Sequence, residues 1–522
     1  MRPITIENLG NEMNVNVTVA RGSLTAQRTP LLVVNLFEGT DQPGGATGAV
    51  DEALDGLLSR LIQAGEISGS LGEVTIIHNA GDRARLAADR VAVVGLGKRE
   101  DLDLESLRIA AATVARRARD IRAGRFATIV HGAGSGNIDA SAAARTLVEA
   151  SLLALYTYDA YKSPPEKPAP VIEEITIIER DADRADLCEA AAAEARMVAD
   201  AVETTRDLSQ GPGNVVTPTY LADQAAAMAR ARNLPHEVWG KDELAARGMN
   251  AILAVNSGSA KDPRFVIMRH NGGGEGAKTL AVVGKGITFD SGGISLKPAE
   301  SMENMKHDMS GAAAVVGFIQ LAADLKLKIN VIGIFASTEN LPSGSSYKPG
   351  DVFKTYNGKM IEINNTDAEG RVILSDALAY AAEQNPDAII DLATLTGACV
   401  VALGHHASGA MGNDESLLAI MKQAGDVCGE RVWPLPLWKE HRKDIESTIA
   451  DIKNSGGRPG GALTAAAFLE NFVAGKPWVH LDIAGTAYTE GRSRIPPYQP
   501  PACATGVGVR LLLEFARRWG NA

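Results

Sequence analysis

The sequence predicts an α/β protein of two mixed α/β domains, a smaller N-terminal one and a larger C-terminal one, joined by a helix. Three observations carry that expectation. Short, continuous, β-branched apolar runs alternate with alanine-rich stretches of helical spacing, as buried parallel strands and their crossover helices do. At 522 residues the chain exceeds what one ordinary hydrophobic core organises. A long helical stretch, CEAAAAEARMVADAVETTRDL at 188–208, separates one such alternation from another.

In the first part, TPLLVVNLF (29–37) and DRVAVVGLG (89–97) read as buried strands. LESLRIAAATVARRARDI (104–121) and SAAARTLVEASLLALYTY (141–158) have helical spacing. YKSPPEKPAPVIEE (161–174) is a proline-rich surface loop, and ITIIE (175–179) is the last strand before the connecting helix. The expected boundaries are 1–181 for the N-terminal domain, 182–206 for the linker helix and 207–522 for the C-terminal domain. In the second part, KTLAVVGKG (278–286), INVIGIFAST (329–338), DAIIDLATLTG (387–397) and WVHLDIAG (478–485) read as buried strands that empty into polar or glycine-bearing loops. Open α/β sheets collect ligands at the carboxyl ends of their strands, so the chemistry is expected there.

Composition narrows the class. The chain is 45% hydrophobic and 22% charged, with a net charge of -11, which fits a folded protein and weighs against a general nucleic-acid binder. The start, MRPITIENLG, has no basic segment followed by an apolar one, and no run of about 18 apolar residues occurs, so the expectation is a soluble cytoplasmic protein without membrane contact. Cys188, Cys399, Cys428 and Cys503 are widely spaced and form no CxxC or CxH pattern, which argues for reduced thiols.

Two stretches concentrate charge, one after the strand TLAVVG and one just ahead of an expected helix. KGITFDSGGISLKPAESMENMKHDMSG carries Lys285, Asp290, Lys297 and Asp308, and NTDAEGR carries Asp367, Glu369 and Arg371. If they converge, four carboxylates share one space and cannot all ionise without compensating cations. Two divalent metals balance the charge of Asp290, Asp308, Asp367 and Glu369, with Lys297 and Arg371 placed in sequence to serve an anion nearby. Asp367 and Glu369 point the same way if their turn is extended.

NTDAEGR at 365–371 and VGKGITFDSGGISLKP at 283–298 resemble the leucyl aminopeptidases, the dinuclear metallo-exopeptidases also called cytosol aminopeptidases. The resemblance extends through RDLSQGPGNVVTP, ERVWPLPLW, ADIKNSGGRPGGALTAAAFLENFV and WVHLDIAG, so it covers the second domain in order. The first domain resembles the family's N-terminal domain only in length and in strand and helix alternation. The resemblance implies that Asp290 and Glu369 bridge two metals, that Asp367 completes one site and that Lys285 with Asp308 completes the other. A lysine ligand must be neutral, and moving its pKa from ~10.4 to ~7 costs roughly 5 kcal/mol, which only adjacent divalent cations can offset.

By the same resemblance, Mn2+ or Zn2+ activates a water for attack on the first peptide bond, Lys297 polarises the carbonyl, and Arg371 holds a bicarbonate that acts as base. The implied substrates are peptides with a free N-terminus, and the implied assembly is a homohexamer. Met305, Thr394, Gly397, Ala484 and Ala487 are implied to line the pocket for an apolar first residue such as leucine, made roomier by Ala487 where some relatives carry a bulky residue. AVNSGSAKDPRFVIMRHNGGG (254–274) is less like the family than its surroundings, on an expected strand and loop away from the ligands.

Other features receive plainer readings. His405 and His406 would face opposite ways in a strand, so a glycine-rich loop near the site is expected there rather than a metal centre. HGAGSG (131–136) and GLGKRE (95–100) lack full phosphate-loop spacing and read as turns, and no GxSxG motif occurs. A different dinuclear hydrolase and a nucleic-acid or regulatory role remain the alternatives. The first usually uses histidines, which the two motifs lack, and the second lacks a basic arm.

Overall fold

The structure, a computed structural model, describes residues 15–132, 138–163, 166 and 169–520. The HGAGSG stretch from residue 133 on, and Pro164, Pro165, Lys167 and Pro168 of the proline-rich stretch, lie outside the described residues. The chain divides into two compact units, Met1–Asp200 with Ser493–Pro501, and Ala201–Arg492 with Ala502–Ala522. The connecting helix runs Ala182–Gln210. Within the first unit, Ser493–Pro501 is held where the Arg116 guanidinium donates to the Gln499 carbonyl (2.6 Å) and the Tyr498 hydroxyl to Glu105 (2.8 Å). Among the described residues no helix is long and apolar enough to cross a membrane.

Among the described residues the smaller unit carries six strands, β1 (Asn16–Arg21), β2 (Leu32–Leu36), β3 (Val74–His78), β4 (Arg90–Gly95), β5 (Arg125–Thr128) and β6 (Glu174–Glu179), in the order β1-β6-β5-β2-β4-β3. All pairs are parallel except β3 with β4. The helices Leu104–Asp120 and Ala140–Leu155 each start on an aspartate, Asp103 and Asp139, whose carboxylate accepts a first-turn amide.

The larger unit adds β7 (His236–Trp239), β8 (Arg264–Asn271), β9 (Thr279–Asp290), β10 (Asn330–Asn340), β11 (Val352–Lys354), β12 (Met360–Glu362), β13 (Ala388–Ala393), β14 (Ser408–Gly412), β15 (Val432–Pro434), β16 (Ile452–Lys453) and β17 (Trp478–Asp482). Eight of them form one sheet, β15-β14-β17-β13-β9-β10-β8-β7, and β11-β12-β16 form a small second sheet. At its centre β17, β13, β9 and β10 run parallel, so four strand ends open on one edge. Alternation along β9 builds both faces: Leu280 and Val282 pack with the helix Ser310–Asp324, Ala281 and Val283 with the helix Glu369–Glu383.

The close approach of the first of these helices needs Gly284, where a Cβ would sit 2.6 Å from the Gly311 backbone. Near its end β9 skips a residue against β10, between Thr338 and Glu339, and this bulge brings Asp290 level with Asn340. The divergent stretch 254–274 forms the end of the helix Asn250–Asn256 and strand β8 with its flanking loops, so helix as well as strand occupies it.

The buried carboxylate of Asp376 ties that short helix to the helix Glu369–Glu383. It accepts the amides of Ala251 (2.9 Å), Ile252 (3.1 Å) and Tyr356 (2.8 Å). Burial pushes its carboxyl up to about 7, and the three amides oppose that rise. Asp376→Ala strands three backbone donors at roughly 1–3 kcal/mol each and is expected to lower the thermal midpoint by several degrees. An unchanged melting curve would show that water replaces the carboxylate.

Candidate active site

The edge defined by the four parallel strand ends is where the charges gather. Lys285 lies on β9 and Asp290 ends it; Lys297 follows a turn in which the Gly292 carbonyl accepts the hydroxyl of the buried Thr366 (2.7 Å) and the Ser295 amide donates back to it (2.7 Å). Asp308 closes the short helical turn Met302–His307, and Asp367 and Glu369 stand at the entrance to the helix Glu369–Glu383. Their approach does not use an extended turn. Ala368 caps the helix and Glu369 is its first residue, so the chain's change of direction aims both carboxylates inward, and the helix N-terminus favours the glutamate's charge.

Asp290, Asp367 and Glu369 each offer an oxygen, and these lie within 4.8 Å of one another. Lys297 bridges Asp290 Oδ2 (2.8 Å) and Asp367. Lys285 bridges Asp308 Oδ1 (2.7 Å) and Glu369 Oε1 (2.9 Å) and also donates to the Thr394 carbonyl (2.9 Å). A Cβ at position 370 would overlap the Lys285 side chain, so Gly370 makes room for it. The arrangement is two lysines, each straddling a pair of acids, with Asp290 further held by the Asn340 amide (2.8 Å) and the Gly292 amide (2.9 Å).

Burial sets the electrostatics. It lifts the Asp290 carboxyl to about 6, with Glu369 adding to the rise and the two lysines opposing it. It lifts Asp308 well above its ordinary value and raises Asp367 too, against Lys297, while Glu369, buried as deeply, is brought below its ordinary value because Lys285 and Lys297 outweigh burial. Burial alone would lower both ammonium groups; the surrounding carboxylates override it and raise them. Arg371 is brought down to about 10 by burial, against Glu369, Asp482 and Asp367, and so stays cationic at neutral pH.

Four acids against two lysines leave a deficit of positive charge. Asp308 Oδ2 and Glu369 Oε2 are buried and accept no hydrogen bond. Buried carboxylate oxygens without donors are costly, and a cation is the partner this donor set fits. The carboxylates of Asp290, Asp308, Asp367 and Glu369 fit bound metal on that ground, and Lys285, here donating to three oxygens, would join them only after losing its proton.

These groups line a cavity of about 1160 Å³ that also receives Lys297, Arg371, Met305, Thr394, Gly397 and Ala484. Ala487 does not line it. Its amide donates to the Ile483 carbonyl and its carbonyl accepts from Thr505, which turns the methyl into the core, 1% exposed, and presents Tyr488 to the cavity instead. Tyr488 stacks on His307 (4.8 Å between ring centres). Sequence reasoning missed Asn340, His307 and Tyr488; a buried asparagine at the carboxyl end of β10 was the one signal available. His405 and His406 are exposed, in a loop after the helix Gly397–Leu403, with His405 Nδ1 against the Gly485 carbonyl (3.0 Å).

Parallel strand ends that gather carboxylates, lysines and an arginine around an open cavity make the kind of site a metal-dependent hydrolase uses. The chain belongs to the cytosol aminopeptidase family, with residues 203–513 matching the family's catalytic domain and residues 33–165 its N-terminal domain. It is 47% identical over 490 residues to a probable cytosol aminopeptidase of Geobacter sp. (strain M21), covering 94% of this chain and 97% of that protein. A probable cytosol aminopeptidase of Roseiflexus castenholzii (strain DSM 13941 / HLO8) is 45% identical over 510 residues, covering 97% and 100%. Among solved structures, the bottromycin maturation enzyme BotP superposes with a TM-score of 0.82 at 32% identity, covering 95% of this chain and 100% of that one. The same enzyme in complex with Mn gives a TM-score of 0.82 at 32% identity, covering 94% and 100%. The chain is therefore a peptidase hydrolase, an aminopeptidase acting on peptides.

Proposed function

We propose that the chain removes an apolar N-terminal residue, leucine foremost, from peptides, with two divalent cations held by Lys285, Asp290, Asp308, Asp367 and Glu369. The observation that carries the reading is the pair of unpartnered, buried oxygens, Asp308 Oδ2 and Glu369 Oε2, beside the three converging carboxylates. When bound, such cations supply an acidified water and Lewis-acid polarisation of the scissile carbonyl. Mn2+ and Zn2+ are both compatible with oxygen donors and one amine.

The chain's own groups do the rest. Lys297, 21% exposed while Lys285 is 3% exposed, is the more open of the two lysines that line the cavity and can donate to an oxygen on which negative charge grows. Arg371 gives Nη1 to the Asn454 carbonyl (3.0 Å) and keeps a buried Nε without a partner. That is a fitting cradle for a small anion such as bicarbonate, placed to take a proton. Met305, Thr394, Gly397 and Ala484 supply an apolar to weakly polar wall for the first side chain. A homohexamer forms part of the proposal, checked by a particle of six chains in sedimentation.

Chelator-stripped protein given leucine p-nitroanilide, with Mn2+ or Zn2+ added back and the N-acetylated substrate alongside, tests the reading. Metal-dependent release that N-acetylation abolishes is the expected result. Turnover of the acetylated substrate at the same rate would remove recognition of the free amine.

A further inference from the structure

We infer that Asp482, which does not itself reach the cavity, is a positioning residue that sets the Lys285 and Asp308 half of the site and the wall of the first-residue pocket together. The inference rests on the proposed ligand role of Lys285. Asp482 ends β17, level with Ala393 on β13, and is fully buried. Its Oδ1 accepts the amides of Leu395 (3.3 Å), Thr396 (3.4 Å) and Ala484 (3.2 Å), and its Oδ2 accepts the Thr396 hydroxyl (2.6 Å). Four donors thus converge on one carboxylate, and each is weak or strong only by its geometry; together they fasten the 394–396 turn to the neighbouring strand end.

That turn is where the coupling lies. Thr394 accepts from Lys285 Nζ through its carbonyl (2.9 Å) and donates its hydroxyl to Asp308 Oδ1 (2.7 Å). Thr396 meanwhile caps the helix Gly397–Leu403, its oxygen accepting the Cys399 amide (3.0 Å), so the same carboxylate orients Gly397. Through the Ala484 amide it holds the opposite lining residue as well. One buried anion therefore fixes the orientation of a lysine and an aspartate that it never touches, and both edges of the pocket for the first side chain.

All four partners donate to Asp482, so Asp482→Asn turns one acceptor into a donor that either faces the three amides or makes the Thr396 hydroxyl rotate and accept, and in both cases the existing set of bonds is broken. Thr396→Val removes the hydroxyl link and Thr396→Ser keeps it. The experiment is calorimetric titration of Mn2+ into chelator-treated wild type and the Asp482→Asn, Thr396→Val, Thr396→Ser and Lys285→Ala variants, with kcat and KM for leucine p-nitroanilide at saturating Mn2+. Wild type is expected to show two sites, and Asp482→Asn and Thr396→Val to weaken one of them about 10-fold or more, the other little changed, as loss of an orienting partner does. Thr396→Ser, which keeps the hydroxyl, is expected to stay near wild type.

Two unchanged sites and an unchanged kcat in Asp482→Asn, beside a weakened site in Lys285→Ala, would overturn the inference alone. Two unchanged sites in Lys285→Ala would overturn the ligand role of Lys285 and the inference with it. Should Asp482→Asn not fold, a Thr396→Val protein that matches Thr396→Ser in both affinities would overturn the inference equally.

Discussion

Glu369→Gln is expected to lower kcat/KM for leucine p-nitroanilide by about 10³-fold or more, with circular dichroism unchanged. Glu369 is the acid common to both halves of the site. Its Oε1 pairs with Lys285, while a carboxylate oxygen of the same residue lies within 4.8 Å of those from Asp290 and Asp367. Its second oxygen is buried without a partner, and Lys285 and Lys297 keep its carboxyl below the ordinary range despite burial. Glutamine preserves the shape and the helix start but removes the charge and offers an NH2 to a place that wants an acceptor. Lys285 keeps Asp308 and the Thr394 carbonyl, so the fold has no reason to fail. Activity within about 10-fold of wild type at saturating metal would show that the carboxylate is dispensable.

Asp290 was legible because it follows TLAVVGKGITF, a strand that the apolar pattern already marks, and Asp367 with Glu369 because NTDAEGR packs two acids and an arginine just ahead of a helical stretch. The central parallel strands were legible as continuous β-branched runs. What pattern reasoning could not reach depends on contacts between distant segments. Nothing local to Asn340 says that its amide meets Asp290 50 residues away, and nothing local to Ser493–Pro501 says that Tyr498 reaches Glu105 within the smaller unit. Ala487 fails for a subtler cause: the 483–487 turn rotates the chain by one position, so the lining residue is the tyrosine beside it. The turn of Asp367 and Glu369 converges by a helix start rather than by strand periodicity, which a count of two residues does not distinguish.

Lys297→Met is expected to separate catalysis from cation binding, with effects of opposite sign. In chelator-treated protein Lys297 and Lys285 are the cations paired with Asp290, Asp308, Asp367 and Glu369, and removing the Lys297 charge makes this cluster, already short of positive charge, more negative by one. Methionine keeps much of the aliphatic volume but leaves Asp290 and Asp367 facing each other uncompensated. The metal-free variant should therefore melt below metal-free wild type, and added Mn2+ should close most of that gap, because the new cations neutralise the acids that Lys297 had paired. Mn2+ affinity should hold or rise, since a positive charge that competes for Asp290 and Asp367 is gone. Turnover should nevertheless fall by about 10²–10³-fold in kcat, the cost of losing a charged donor to an oxygen that becomes negative only as the bond breaks. The two readouts are independent. A kcat within threefold of wild type would make Lys297 a placeholder for metal, and a Mn2+ affinity that fell in step with kcat would make it a structural support for the carboxylates instead.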